Sequence, residues 1–135
     1  MYMTLATADE SGRPWASPVW FAPHGDDGFL WVSSPATRHS RNIAARPDVA
    51  IVIFDSTVPI GAAEALYVEA VAEELSSDAL EEAITVYSQR SERSGARAWQ
   101  APDVLQPSRF RLYRATGSAQ SILGSGDERL PVRQV

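Results

Sequence analysis

A chain of 135 residues with 44% hydrophobic and 21% charged residues has the size and composition of one globular domain spanning residues 1–135. Its net charge of −5 argues against general binding to nucleic acid or to an anionic membrane surface, because neither polyanion attracts it at long range. The absence of cysteine excludes disulfides, thiolate metal sites and thiol catalysis. No apolar run approaches the length of a membrane span and no charged-then-apolar leader opens the chain, so we expect a cytoplasmic protein.

The chain begins with short runs that are typical of antiparallel strands joined by turns. These runs are Met3–Ala8, Pro14–Ala22 and Phe29–Ser34. Gly12 can adopt positive φ and therefore suits the first turn. Pro18 cannot donate to a ladder, which places that point of the second strand at a sheet edge or a bulge. His24 falls in the second turn and is expected to be exposed.

A short basic helix from about Thr37 to Arg46 follows the third strand. The Thr37 hydroxyl can cap the helix, and the ring of Pro47 ends it. The first turn or so carries three basic side chains, which are Arg38, His39 and Arg41. A helix N-terminus already offers unpaired N–H donors and the positive end of the dipole, so cations there require an anion. This stretch therefore predicts a phosphate site.

The rest of the chain predicts three more strands and one long helix. The strands are Val49–Phe54, Leu66–Leu75 and Arg109–Ala115. The Val49–Phe54 run is apolar at both odd and even positions and is therefore expected to be buried on both faces of the sheet. Ser76–Arg93 is the clearest helix, with an apolar stripe formed by Leu80, Ala83, Ile84 and Tyr87. The stretch from Gly117 is rich in Gly and Ser and is expected to be a mobile tail.

Six strands with two or three helices and short connections predict a mainly β protein, a small antiparallel barrel rather than a doubly wound sheet. With this strand order and the basic helix, the chain resembles the pyridoxamine 5′-phosphate oxidase-like flavoproteins, the FMN-binding split-barrel superfamily. The segments that carry the resemblance are Leu5–Thr7, Gly12–Pro14, Ser17–Phe21, Trp31–Ser33, Thr37–Ile43 and Arg46–Ile51. The resemblance implies a six-stranded split barrel that works as a homodimer, with FMN in each of two clefts at the subunit interface.

The resemblance also implies which residues bind the flavin. The strand whose backbone runs beside the flavin ring is matched by Ser17, Pro18, Val19 and Trp20. The strand end that reaches the ribityl-phosphate is matched by Val32 and Ser33. The basic phosphate ligands are matched by Arg38 and His39, with Arg41 assisting.

The chain departs from the pattern of pyridoxamine phosphate oxidases at several points. His39 stands where lysine is usual, and a histidine carries a full charge only when protonated. Ala65 stands where those oxidases place an amide side chain, and their substrate-phosphate motif is not evident in Arg109–Val135. We therefore expect a member of the superfamily that is not itself a pyridoxamine phosphate oxidase.

The resulting functional hypothesis is an FMN-dependent oxidoreductase acting on a small-molecule substrate. A deazaflavin-dependent reductase and a non-catalytic flavin carrier remain open as alternatives. Because hydride transfer would belong to the cofactor, no catalytic side chain is assigned. Trp15, Trp20 and Trp31 are interpreted as core or interface packing, whereas Trp99 is a candidate for covering the ring. Neither a serine-hydrolase arrangement nor a metal site is indicated.

Overall fold

Alternating apolar residues and tight turns fold most of the chain into antiparallel strands. The structure, a computed structural model, describes residues 1–124 and 127–134. Its strands are β1 (Tyr2–Ala8), β2 (Pro14–Trp20), β3 (Ala22–His24), β4 (Gly28–Ser33), β5 (Asp48–Phe54), β6 (Ala65–Glu74), β7 (Arg111–Leu123) and β8 (Arg129–Gln134). Its helices are α1 (Arg38–Ala45), α2 (Ser77–Arg93) and a 3₁₀ turn at Ala101–Val104.

The strands form one curled antiparallel sheet in the order β2-β1-β5-β6-β7-β4-β3, with β8 paired to β7. β2 and β3 lie at opposite ends of this order, yet only Phe21 separates them in the sequence. The sheet must therefore curl until its two ends meet. This architecture confirms the prediction of a mainly β, split-barrel fold with helices packed around it.

The predicted number of six strands is wrong, because the described residues contain eight. Phe21 breaks the predicted second strand: its N–H reaches Met1 O at 3.4 Å, and from Ala22 the chain pairs with β4 instead of β1. The last predicted strand ends at Ala115, whereas β7 runs to Leu123 and pairs with β8. The expected tail thus contributes the second half of β7 and the whole of β8. Its predicted mobility and the single-domain organisation stay predictions, and residues 125, 126 and 135 lie outside the described residues.

Two apolar clusters occupy the two faces of the sheet. The barrel interior contains Met3, Leu5, Trp31, Ile51, Val68 and Tyr113, among others. The outer cluster lies under α2 and includes Leu30, Leu112 and the predicted stripe Leu80, Ala83, Ile84 and Tyr87, all buried. Because successive strand residues alternate between faces, β4 sends Trp31 into the barrel and Leu30 toward α2. This alternation decides which side chains reach the mouth of the barrel.

Two predictions about burial are wrong. β5 buries Val49 and Ile51 on one face only, while Phe54 is 54% exposed, because an all-apolar run does not by itself distinguish one-face from two-face burial. The second wrong prediction is that His24 lies exposed in a turn. It is the last residue of β3, and its Nε2 lies 2.7 Å from Glu82 Oε2 on α2.

No helix in the described part of the chain is both long enough and apolar enough to cross a membrane.

Candidate functional site

The candidate site lies where β4 ends and α1 begins, at the mouth of the barrel. Thr37 is the N-cap, and its Oγ1 accepts a hydrogen bond from Ser40 N at 3.3 Å. The helix ends with Arg46 as its C-cap, one residue before Pro47. Both predicted helix boundaries are confirmed.

The N-terminus of α1 presents two backbone donors that the helix leaves unpaired. Of its first four N–H groups, those of Thr37 and Ser40 donate to oxygen atoms of the capping turn. The N–H groups of Arg38 and His39 have no acceptor among the described residues. Two adjacent N–H donors at the positive end of a helix are suited to an anionic oxygen.

His39 faces inward and bonds to the end of β4. Its Nε2 lies 2.9 Å from Ser33 Oγ, and the residue is 8% exposed. Burial lowers the pKa of His39 below the usual value, so the imidazole is neutral at neutral pH. When the neutral ring donates through Nε2, the Ser33 hydroxyl is left to donate outward. His39 can therefore orient Ser33, but it does not supply a positive charge.

Arg38 lies against the beginning of β2. Its guanidinium carbon is 4.2 Å from the centroid of the Trp15 ring, within the range of a cation–π contact. Hydrogen bonds from the N–H groups of Arg13 and Ser11, followed by the charges of Arg13 and Arg38, hold the pKa of Asp9 below its usual value. Arg38, which is predicted to bind the phosphate, and β2, which is predicted to run beside the flavin ring, are thus neighbours.

Arg41 lies on the exposed side of α1. Its Nη1 donates to Ala36 O at 2.6 Å, so the guanidinium curls back toward the turn before the helix. It remains close to the helix N-terminus, where the sequence predicts an assisting role.

The predicted ring strand β2 forms one edge of the sheet. Hydrogen bonds from Asp9 N to Arg13 O and from Phe21 N to Met1 O fix the alternation of the β1–β2 ladder. In that alternation the backbone polar groups of Ser17 and Val19 form hydrogen bonds with β1, whereas those of Pro18 and Trp20 point away from β1. In residues 1–124 and 127–134 no strand pairs with this edge.

Two predicted residues send their side chains elsewhere. The side chain of Val32 packs against the cluster under α2, on the face opposite Ser33. The Trp20 ring makes an edge contact with Tyr87 at 5.4 Å. Only the backbones of these two residues can therefore contribute to the candidate site.

Trp99 belongs to the same aromatic cluster. Its ring contacts Tyr87 at 6.0 Å and Phe110 at 5.9 Å, and the Arg97 guanidinium lies 4.0 Å from its centroid. With one face of the ring already covered by Arg97, this packing does not favour the predicted role of covering a cofactor.

Sequence reasoning missed the anchor of α1. Asn42 Nδ2 donates to Thr7 Oγ1 at 3.0 Å, and both side chains are buried beneath the helix. Ile43 inserts into the barrel interior beside them. The available signal was an amide side chain, Asn42, beside the apolar Ile43 in an otherwise basic helix. Its partner Thr7 lies 35 positions away in the sequence, so the signal did not identify the contact.

The donors face an open surface in the single chain. One hollow of about 470 Å³ is lined by residues of β1, β5, β6 and β7, and another of about 340 Å³ lies beside α1. Neither hollow is lined by Ser33 or Arg38. These two hollows therefore do not contain the donor set at the start of α1.

The curled sheet with a basic helix at its mouth defines a split-barrel protein. The sequence model of the family described as pyridoxamine 5′-phosphate oxidase matches residues 1–119, and the protein belongs to that family. Curated relatives match over a shorter stretch. Pyridoxine/pyridoxamine 5′-phosphate oxidases of Burkholderia mallei and Burkholderia pseudomallei are 38% identical over 52 residues, which is 38% of this chain and 24% of theirs.

Three similar solved structures extend over most of the chain. A heme binding protein from Mycobacterium smegmatis has a TM-score of 0.77 and 22% identity, covering 97% of this chain and 52% of that one. HutZ, the heme storage protein from Vibrio cholerae, has a TM-score of 0.65 and 27% identity, covering 86% and 80%. An F420 reductase has a TM-score of 0.64 and 22% identity, covering 90% and 89%. The fold is therefore shared by proteins whose descriptions name heme in two cases and F420 in the third.

Proposed function

We propose that the protein is a flavin-dependent oxidoreductase that binds FMN in a cleft at a homodimer interface. The observation that carries the proposal is the set of donors at the start of α1. Two unpaired N–H groups, the Ser33 hydroxyl and the Arg38 guanidinium lie at one end of the barrel. A terminal phosphate carries several acceptor oxygens and matches such a set.

The donor set fits the phosphate of FMN in most respects. Arg38 supplies a permanent charge, and its stacking on Trp15 limits the conformations that it would lose on binding. His39 stands where the family usually has a lysine. It contributes by orienting the Ser33 hydroxyl instead of by its own charge. Arg41 lies near enough to the helix N-terminus to add long-range attraction.

The outward backbone of β2 supports the placement of the flavin ring. The carbonyl group of Pro18 and the carbonyl and N–H groups of Trp20 are available to the polar edge of a planar ring. The bound flavin would supply hydride transfer, and the chain would supply position and hydrogen bonds. The substrate would be a small molecule that approaches the open face of the ring.

A second subunit would complete the cleft. Large apolar side chains are exposed at the ends of β5 and β7 and on β8, namely Phe54, Ile122, Leu130 and Val132. A two-fold pairing would cover such side chains, and in the proposed dimer the partner subunit also closes the surface in front of the α1 donors. Sedimentation at micromolar concentration measures this directly, and a protein that remains monomeric with FMN bound would contradict the dimer.

Two other cofactors are candidates because of the similar structures. A deazaflavin also presents a phosphate and a tricyclic ring, and an F420 reductase shares the fold. Heme is less well supported, because each histidine already has its Nε2 in a hydrogen bond, His24 with Glu82 and His39 with Ser33. A flavin carrier without turnover would use the same site and differ only in lacking reduction and reoxidation.

The test is a side-by-side titration of the purified protein with FMN, F420 and heme. We expect flavin binding, and Arg38→Ala should weaken FMN affinity by about ten-fold or more, the effect of losing a charged hydrogen bond. Arg46→Ala is the matched control, since Arg46 lies at the far end of α1 and bonds to Glu10 O. Unchanged FMN affinity in Arg38→Ala would remove the phosphate assignment.

The same preparation separates an enzyme from a carrier. A nicotinamide donor followed by an oxidant should reduce and reoxidise the bound flavin in an oxidoreductase. Flavin exchange without reduction would identify a carrier instead.

A further inference from the structure

Arg111 lies directly across the ladder from Ser33. In the β4–β7 pairing, Ser33 is opposite Arg111 and Trp31 is opposite Tyr113. Directly paired residues of antiparallel strands place their side chains on the same face. Trp31 and Tyr113 both belong to the barrel interior, so Ser33 and Arg111 continue that face at its mouth.

The guanidinium of Arg111 is held in place but lacks a counter-ion. Its Nη1 donates to Ser108 O and to Phe110 O, each at 2.6 Å. No carboxylate lies within ion-pair distance of it in the part of the chain that the structure describes, although other arginines have such partners. Since both carbonyls contact Nη1, the Nε and Nη2 donors remain available.

A half-buried cation in this position favours an anion nearby. Arg111 is partly buried at the start of β7, where solvation of its charge is incomplete. Its charge also acts at the first turn of α1. Burial and the charge of Glu74 raise the pKa of Tyr113, whereas a hydrogen bond with Ser40 of α1 and the charge of Arg111 lower it. The charge of Arg111 therefore reaches Tyr113, which bonds to the first turn of α1, and partly offsets that of Glu74.

We propose that Arg111 is a further ligand of the cofactor phosphate, contributed across the β4–β7 ladder beside Ser33. The inference rests on the proposed function, because it assigns a residue to the same phosphate site. Arg111 thereby supplies a further permanent cation, contributed by β7 and not by α1. The predicted strand Arg109–Ala115 contained this residue, but only the register of the ladder places it beside Ser33.

The experiment compares FMN with riboflavin, which has the same ring and no phosphate. Arg111→Gln should weaken FMN binding by about ten-fold or more and leave riboflavin binding unchanged. Arg109→Gln is the matched control, because Arg109 is exposed and its guanidinium lies 4.9 Å from the Phe110 ring centroid. We expect this control to bind both ligands as the wild type does.

Other outcomes overturn the inference in distinguishable ways. Equal loss of FMN and riboflavin binding would show that Arg111 only supports the structure. Unchanged FMN affinity in Arg111→Gln, with tight binding by the wild type, would remove Arg111 from the site and leave the proposed function intact. A wild type that binds no flavin would refute the proposed function itself. Arg111→Met retains the apolar stem and provides the same comparison if the glutamine variant fails to fold.

Discussion

Replacing Asn42 with alanine tests what holds the basic helix on the barrel. The Asn42 side chain donates to Thr7 Oγ1 at 3.0 Å, and the two residues are 5% and 4% exposed. Truncation removes a hydrogen bond with a net value of about 1 kcal/mol and leaves the Thr7 hydroxyl unpaired at a cost of about 1–3 kcal/mol. We expect Asn42→Ala to lower the free energy of unfolding by about 2–4 kcal/mol, the sum of these two effects.

A double-mutant cycle isolates the hydrogen bond from the loss of packing. Thr7→Val replaces the acceptor with a methyl group and leaves the Asn42 amide unpaired, so a similar loss is expected. When both residues are replaced, neither group is left without a partner. The combined loss should therefore be smaller than the sum by about 1–3 kcal/mol.

The cycle can be measured by urea denaturation followed through tryptophan fluorescence. Gln89→Ala removes an exposed amide from α2 and serves as the control, with an expected change within about 0.5 kcal/mol. If the Thr7 and Asn42 effects add within about 0.5 kcal/mol, the two side chains are not coupled and the proposed anchoring is refuted.

Two further predictions concern the cation and the imidazole of the site. Trp15→Ala should weaken FMN binding by about two- to five-fold, because an exposed cation–π contact of about 0.5–1 kcal/mol no longer positions Arg38; an unchanged titration would contradict this. The folded-state pKa of His39 is lowered by burial, so the unfolded chain takes up the proton first as the pH falls below about 6.5. Stability is therefore complete above that pH and declines below it, by at most about 1.4 kcal/mol per pH unit, until the folded-state pKa is reached. His39→Gln should remove this part of the slope of urea midpoints against pH, and a slope equal to that of the wild type would contradict the assignment.

Local signals were sufficient for the elements that build the site. The Thr37 cap and Pro47 bound α1 because capping and the proline ring act within one turn. The stripe on α2 has helical spacing, and its side chains are buried as that spacing predicts. Strand type followed from alternation and turns, although Phe21 and the second half of β7 changed the number of strands.

The contacts that complete the site depend on pairing between distant segments. Arg111 reaches the mouth of the barrel only through the β4–β7 register, and Arg38 reaches Trp15 only because α1 lies across β1 and β2. Sequence alone placed His39 at the helix start as a phosphate ligand that is charged only when protonated. Burial against Ser33 changes that role, and burial is a property of the assembled barrel.

The proline in β2 also affects how two molecules can meet. An uncovered sheet edge normally presents alternating N–H and C=O groups, onto which a strand from another molecule can add and begin aggregation. Pro18 faces outward at the middle of this edge and has no N–H to offer, so a continuous intermolecular ladder is interrupted there. The remaining carbonyls are still accessible to a small ligand, whereas an added strand would lack one of the bonds that it needs.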